Sequence, residues 1–121
     1  MKLLLVDDDA LLRDMYATKF KEAGHAVSVA QHATEAISFL ENDEVYDVIL
    51  MDMVMPGITG IELLDKIKQF SLASNTKCIV LSNQGEQSDI DNAKQAGADG
   101  YIIKADSIPS QVVAKVEELS Q

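Results

Sequence analysis

Five short aliphatic runs, at positions 2–6, 26–30, 46–52, 77–82 and 100–103, stand out from a chain of otherwise mixed polarity. They do not alternate. Val48-Ile49-Leu50-Met51 is apolar at every position, the pattern of a strand covered on both faces. Between the runs, apolar residues recur every three or four positions, the period of a helix with one buried side. Leu12, Met15, Tyr16, Phe20 and Ala23 form the first such face, and Gly24 supplies a left-handed stop. A second helix over 33–40 carries Ala36, Ile37 and Leu40. A third, beginning after Gly60, carries Ile61, Leu64 and Ile67, with Lys68 and Phe70. The fourth, about 86–96, offers only Ile90, Ala93 and Ala96, so it is expected to be the least firmly docked element. Pro109 suits the first position of a final helix with a stripe of Val112, Val113, Val116 and Leu119.

Strand and helix alternate five times. That order implies an α/β fold with a parallel sheet, right-handed crossovers and helices on both faces. At 121 residues, the chain 1–121 reads as one domain able to bury a core without disulfides or a structural metal. The net charge of -10 repels phosphate backbones and anionic lipid, which argues against direct nucleic-acid binding. The apolar start at Leu3 is too short for a signal peptide, and no run approaches a membrane span, so a cytoplasmic protein is expected. Cys78 is the sole cysteine, which excludes an internal disulfide and fits a small buried hydrophobe better than a nucleophile.

Open parallel sheets bind ligands at the carboxyl ends of their strands. Here those ends carry Asp7-Asp8-Asp9, Asp52, Ser82-Asn83 and Lys104. Acids that all ionise in a partly dry cleft repel one another, and a hard cation such as Mg²⁺ relieves that repulsion. Lys104 adds a fixed charge and Ser82 a hydroxyl, which suits a tetrahedral oxyanion beside the metal. With Asp52 central, the chemistry suggested is phosphoryl transfer onto a carboxylate. Asp9 reads instead as a helix cap, and His25 and His32 as surface or loop residues.

The set LLLVDDD (3–9), VILMDMVMPGITG (48–60), IVLSN (79–83) and GADGYIIK (97–104) resembles the receiver domain of two-component response regulators across the whole chain. The resemblance implies a flavodoxin-like (βα)5 three-layer sandwich with strand order 2-1-3-4-5. It implies that Asp52 is the phosphoacceptor, and that Asp8 holds Mg²⁺ directly and Asp7 through water, with the Val54 carbonyl completing the protein ligands. Lys104 would pair with a phosphoryl oxygen, Ser82 would move toward the phosphoryl group, and Tyr101 would act as the switch aromatic. Signalling would pass through the face made by the fourth helix, fifth strand and fifth helix. The donor would be a histidine kinase or a histidine phosphotransfer domain, and the protein itself a monomer or weak dimer through the same face. Such a domain is a signalling phosphoprotein and not an enzyme beyond its own phosphorylation and dephosphorylation.

Ending at Gln121, just after the last helix, favours a stand-alone regulator or relay protein, with a receiver cut from a longer regulator or hybrid kinase as the alternative. A haloacid-dehalogenase-type phosphatase also uses an Asp nucleophile with Mg²⁺, but usually has a second acid two residues on, where this chain has Val54. A pseudo-receiver finds no support in the acid set. Three positions depart from the family pattern, among them Asn83, which sits where many receivers carry a small residue. Ala105 follows Lys104 where most receivers have proline, often after a cis bond; a non-proline cis bond costs about 2.5–4 kcal/mol. A trans bond with a shifted loop is expected, which puts the reach of Lys104 in question. Thr59 replaces the usual acid before Gly60, a change confined to the turn. Leu11, outside the first helix's buried face and next to the acids, is the expected contact for the phosphoryl donor.

Overall fold

The computed structural model describes residues 1–42, 45–69 and 75–120. Five strands, β1 (Lys2–Val6), β2 (Ala26–Ala30), β3 (Val48–Met51), β4 (Lys77–Ser82) and β5 (Gly100–Ile103), form one parallel sheet in the order β2-β1-β3-β4-β5. Helices α1 (Ala10–Glu22), α2 (Ala33–Glu41), α3 (Gly60–Gln69) and α4 (Gln87–Gln95) fill the crossovers, and α5 (Pro109–Leu119) follows the last strand. A short 3-10 turn, Lys104–Asp106, follows β5.

The sheet separates two cores. Leu4, Val6, Ile49, Met51 and Val80 face one, with Leu63, Leu64 and Ile67 of α3. Leu3, Leu5, Leu50, Ile79 and Leu81 face the other, with Phe20 of α1 and Val112 and Val116 of α5. Adjacent residues on a strand point to opposite faces, so a central strand covered twice must be apolar throughout. All four residues of β3 are buried.

Helix ends follow local chemistry. The Asp9 side chain accepts the Leu12 N–H at 3.1 Å and caps α1, as expected, while Gly24, just past the helix, has φ 91°. Thr59 and Glu62 form a reciprocal cap on α3: the Glu62 N–H donates to Thr59 Oγ1 at 3.2 Å, and Glu62 Oε1 receives the Thr59 N–H. Pro109 is the first residue of α5.

Several sequence expectations need correction. The third strand is shorter than 46–52: Tyr46 is buried but lies before it, and Asp52 follows it. On α1 the buried residues are Tyr16, Ala17 and Phe20; Met15 and Ala23 face solvent. Residues 12, 15 and 23 straddle the edge of the stripe, where a 3.6-residue period permits either face. On α3, Leu63 joins the core and Lys68 is exposed, and Phe70 lies outside the described residues. Leu119 is 38% exposed, yet it packs over Gly100, where a Cβ would come within 2.7 Å of Leu119 Cδ1. His25 lies in the loop before β2, in keeping with the sequence, and is part-buried there: its Nδ1 lies 3.0 Å from the Met1 amino group and its Nε2 2.8 Å from Glu117 Oε2. His32 is the exposed N-cap of α2. The thin packing expected of α4 is observed, since Ala93 is its only fully buried residue.

Gly60 ties the fold to the acidic rim. Its N–H donates to the Met53 carbonyl at 2.9 Å, and a Cβ there would lie 2.4 Å from the Asp52 carbonyl oxygen and 2.9 Å from Met53 Cα. Those neighbours are backbone and cannot step aside. Gly60→Ala is therefore expected to cost about 1–3 kcal/mol, the usual range for overpacking, read as a lower denaturant midpoint. An unchanged midpoint would show that the β3–α3 connection yields freely.

Candidate functional site

The carboxyl end of the sheet gathers charge from three strands. Asp7 follows β1, Asp52 follows β3 and Lys104 follows β5, so the sheet order sets Lys104 across β4 from Asp52. Backbone pairing holds both acids in register: Asp52 N–H donates to the Val6 carbonyl at 3.0 Å, and Asp7 N–H to the Ala30 carbonyl at 3.1 Å. Lys104 Nζ then lies 2.8 Å from Asp7 Oδ2 and 2.8 Å from Asp52 Oδ2. Asp7, Asp52 and Lys104 are 1%, 8% and 9% exposed. The described peptide bonds are all trans, Lys104–Ala105 included, and the 3-10 turn delivers the lysine into the site without a proline.

Burial is the largest influence on the Lys104 ammonium and favours its neutral form, but the hydrogen bonds and charges of Asp52 and Asp7 outweigh it. The pKa ends above the ordinary lysine value. A raised folded-state pKa stabilises the fold below the unfolded value, near pH ~10.4, and that contribution is lost as pH rises through the folded one. The lysine is therefore cationic at neutral pH.

The remaining polar atoms are assigned almost one by one. Asp7 Oδ1 accepts the Asp9 N–H at 2.9 Å, and Asp52 Oδ1 accepts the Val54 N–H at 3.2 Å. Asp8 is exposed, and side-chain oxygens of Asp7, Asp8 and Asp52 lie within 4.8 Å of one another. Three carboxylates at that spacing form an all-oxygen donor set, which fits a small hard divalent cation. Lys104 neutralises at most one of their charges. Val54, expected as a backbone ligand, stands beside this cluster and is 56% exposed at the rim.

Ser82 and Tyr101 are gathered at the same end of the sheet but through other contacts. The buried Ser82 hydroxyl accepts the Gln84 N–H at 3.2 Å, and the Tyr101 hydroxyl donates to the Gln84 carbonyl. Burial, opposed by the neighbouring Ser82 side chain, raises the Tyr101 pKa, so the phenol keeps its proton at neutral pH. Cys78 is fully buried and burial pushes its thiol up to about 11, which leaves an inert core thiol as expected. Two residues near the acids escaped the sequence reading. Gly60 was seen only as a helix start. Arg13 was not singled out at all, although being the sole arginine of the chain was a signal in plain view.

The five-stranded parallel sheet with three acids and a buried lysine at its carboxyl edge belongs to a signalling domain of two-component systems, as comparison with known proteins shows. The response regulator receiver domain family matches residues 3–117, so the chain belongs to that family. It is 34% identical to the phosphate regulon transcriptional regulatory protein PhoB of Pseudomonas aeruginosa, covering 95% of this chain and 49% of that protein. The chain thus spans about half the length of that relative. A chemotaxis protein CheY homolog of Campylobacter jejuni is 30% identical and is matched over 98% of this chain and 92% of its own length. The structure of chemotaxis protein CheY4 of Vibrio cholerae superposes with a TM-score of 0.89 at 26% identity, covering 98% and 97% of the two chains. The strand order and five helices agree with the flavodoxin-like fold that the sequence resemblance implies. No helix among the described residues is long and apolar enough to cross a membrane.

Proposed function

We propose that this chain accepts a phosphoryl group on Asp52 from a phosphohistidine donor, with Mg²⁺ held by Asp7, Asp8, Asp52 and the Val54 carbonyl. The observation that carries this reading is the 2.8 Å contact of Lys104 with both Asp7 and Asp52 in a site that offers three carboxylates to one cation. In transfer, a carboxylate oxygen of Asp52 forms the new O–P bond as the N–P bond to the donor imidazole breaks. The imidazole leaves with the bonding electron pair and takes up a proton. Bound Mg²⁺ supplies charge neutralisation for the incoming phosphoryl oxygens. Lys104 releases its hold on Asp52 Oδ2 and pairs with a phosphoryl oxygen, so one ammonium serves both states. The Val54 N–H keeps Asp52 Oδ1 oriented. The family consists of signalling domains and not of classical enzymes, and the positioning work falls on these few groups.

Output runs through α4, β5 and α5. Ser82 moves its hydroxyl from the Gln84 N–H toward the phosphoryl group, and Tyr101, bound to the Gln84 carbonyl on the same loop, follows that loop as the switch aromatic. With one buried anchor, α4 has few contacts to lose on shifting. Intact mass after incubation with acetyl phosphate tests the reading: one phosphoryl group is expected with Mg²⁺ and none without it.

The phosphohistidine partner docks beside the acids. Leu11 on α1 is 72% exposed and borders an apolar groove shared by Met15, Thr18 and Pro109. Leu11→Ala is expected to slow transfer from a histidine kinase or phosphotransfer domain about tenfold, the effect of losing ~1.4 kcal/mol of docking energy, while labelling by acetyl phosphate stays unchanged. Equal transfer rates would place the docking surface elsewhere.

A further inference from the structure

Arg13 lies on α1, four residues beyond the Asp9 cap, and is half-buried. Its Nη1 donates to the main-chain carbonyl of Asp7 at 3.0 Å, and its own N–H donates to the Asp9 carbonyl at 2.8 Å. Its Nε is a buried donor without a hydrogen-bond partner among the described residues. A buried donor left unpaired costs about 1–3 kcal/mol. The chain thus carries its only guanidinium in a half-satisfied position, bound to a backbone atom of the acidic loop.

We infer that Arg13 is a positioning residue for the metal site, acting through the peptide that joins Asp7 to Asp8. The inference rests on the proposed Mg²⁺ reading. A peptide unit is planar, so fixing the Asp7 carbonyl oxygen also fixes the Asp8 nitrogen and the direction from which Asp8 leaves the chain. Asp7 and Asp9 have further restraints: the Asp7 side chain is held by Lys104 and the Asp9 N–H, and the Asp9 side chain by the Leu12 N–H. Asp8 is the exposed member of the acid set. Its aim toward a cation is set by the backbone, which Arg13 holds. The guanidinium has a competing effect, because a positive charge near the acids opposes a second cation. Positioning and charge therefore predict opposite changes in affinity.

The test compares wild type with Arg13→Met, which removes donor and charge but keeps most of the bulk, and Arg13→Lys, which keeps a cationic donor. Calorimetric Mg²⁺ titration of the unphosphorylated proteins is expected to show about tenfold weaker binding in R13M, in the range for loss of a group that orients a ligand, and recovery of most of it in R13K. Labelling by acetyl phosphate should need more Mg²⁺ in R13M but reach the wild-type rate at saturation. Amide exchange at Asp8 in the metal-free protein should be faster in R13M, a readout that needs no metal. Unchanged or tighter Mg²⁺ binding by R13M would overturn the inference, as would a rate deficit that saturating Mg²⁺ does not restore, which marks a general structural role. Absence of Mg²⁺ binding by the wild type would overturn the metal reading itself and this inference with it.

Discussion

Asp52→Asn is expected to take up no phosphoryl group from acetyl phosphate at any Mg²⁺ concentration, with intact mass as the measurement. The argument is chemical before it is geometric. Asparagine keeps the size of the side chain and an acceptor oxygen, but an amide is neutral and poorly nucleophilic toward phosphorus. Among the described residues, Asp52 is the acid that both contacts Lys104 and lies beside Val54 at the rim. Asp7 also contacts Lys104 but is 1% exposed, so an incoming donor cannot reach it as it reaches Asp52. Labelling of the variant at the wild-type rate would move the acceptor to Asp8 or beyond the cluster, and the proposed mechanism would be abandoned.

Lys104→Met should produce the second large effect, and in two observables at once. The ammonium lies between two buried carboxylates, and removing one partner of a buried ionic group costs about 3–5 kcal/mol because the charges left behind lose their compensation. Metal-free stability should fall toward that range, read from denaturant unfolding at pH 7. Added Mg²⁺ should raise the midpoint more in the variant than in the wild type, since a cation at the acids replaces part of the lost charge. Labelling at saturating Mg²⁺ should slow by roughly a hundredfold, the scale for losing one oriented donor to a developing anion. A variant as stable and as reactive as the wild type would make Lys104 a bystander.

Much of this was legible from residue type and order. Strands buried on both faces announce themselves, as Val48 to Met51 did, because no polar residue is tolerated on either side. The chemistry at strand ends was equally open, since Asp7, Asp52 and Lys104 follow directly on apolar runs. What sequence could not carry was contact through backbone atoms. Arg13 acts on a carbonyl, and every residue has a carbonyl, so no side-chain pattern marks its partner. Gly60 is constrained by the approach of the Asp52 and Met53 backbone, which is visible only in three dimensions. The doubt that Ala105 raised over Lys104 had a similar origin: the 3-10 turn supplies the geometry that proline would have enforced. Ser82 illustrates another gap. Its type suggested an oxyanion donor, whereas its hydroxyl here accepts the Gln84 N–H, and only a phosphorylated state could show it turned toward Asp52.

The bonds that make the site join residues very far apart in the chain: Lys104 meets Asp52 across 52 positions and Asp7 across 97. Closing loops of that length is among the slower and later events in folding. Because β4 and β5 must both be seated before the lysine arrives, a chain with only its first three strands in place has the acids but not their counter-charge. Neutralisation of the buried acids is then coupled to completion of the native sheet.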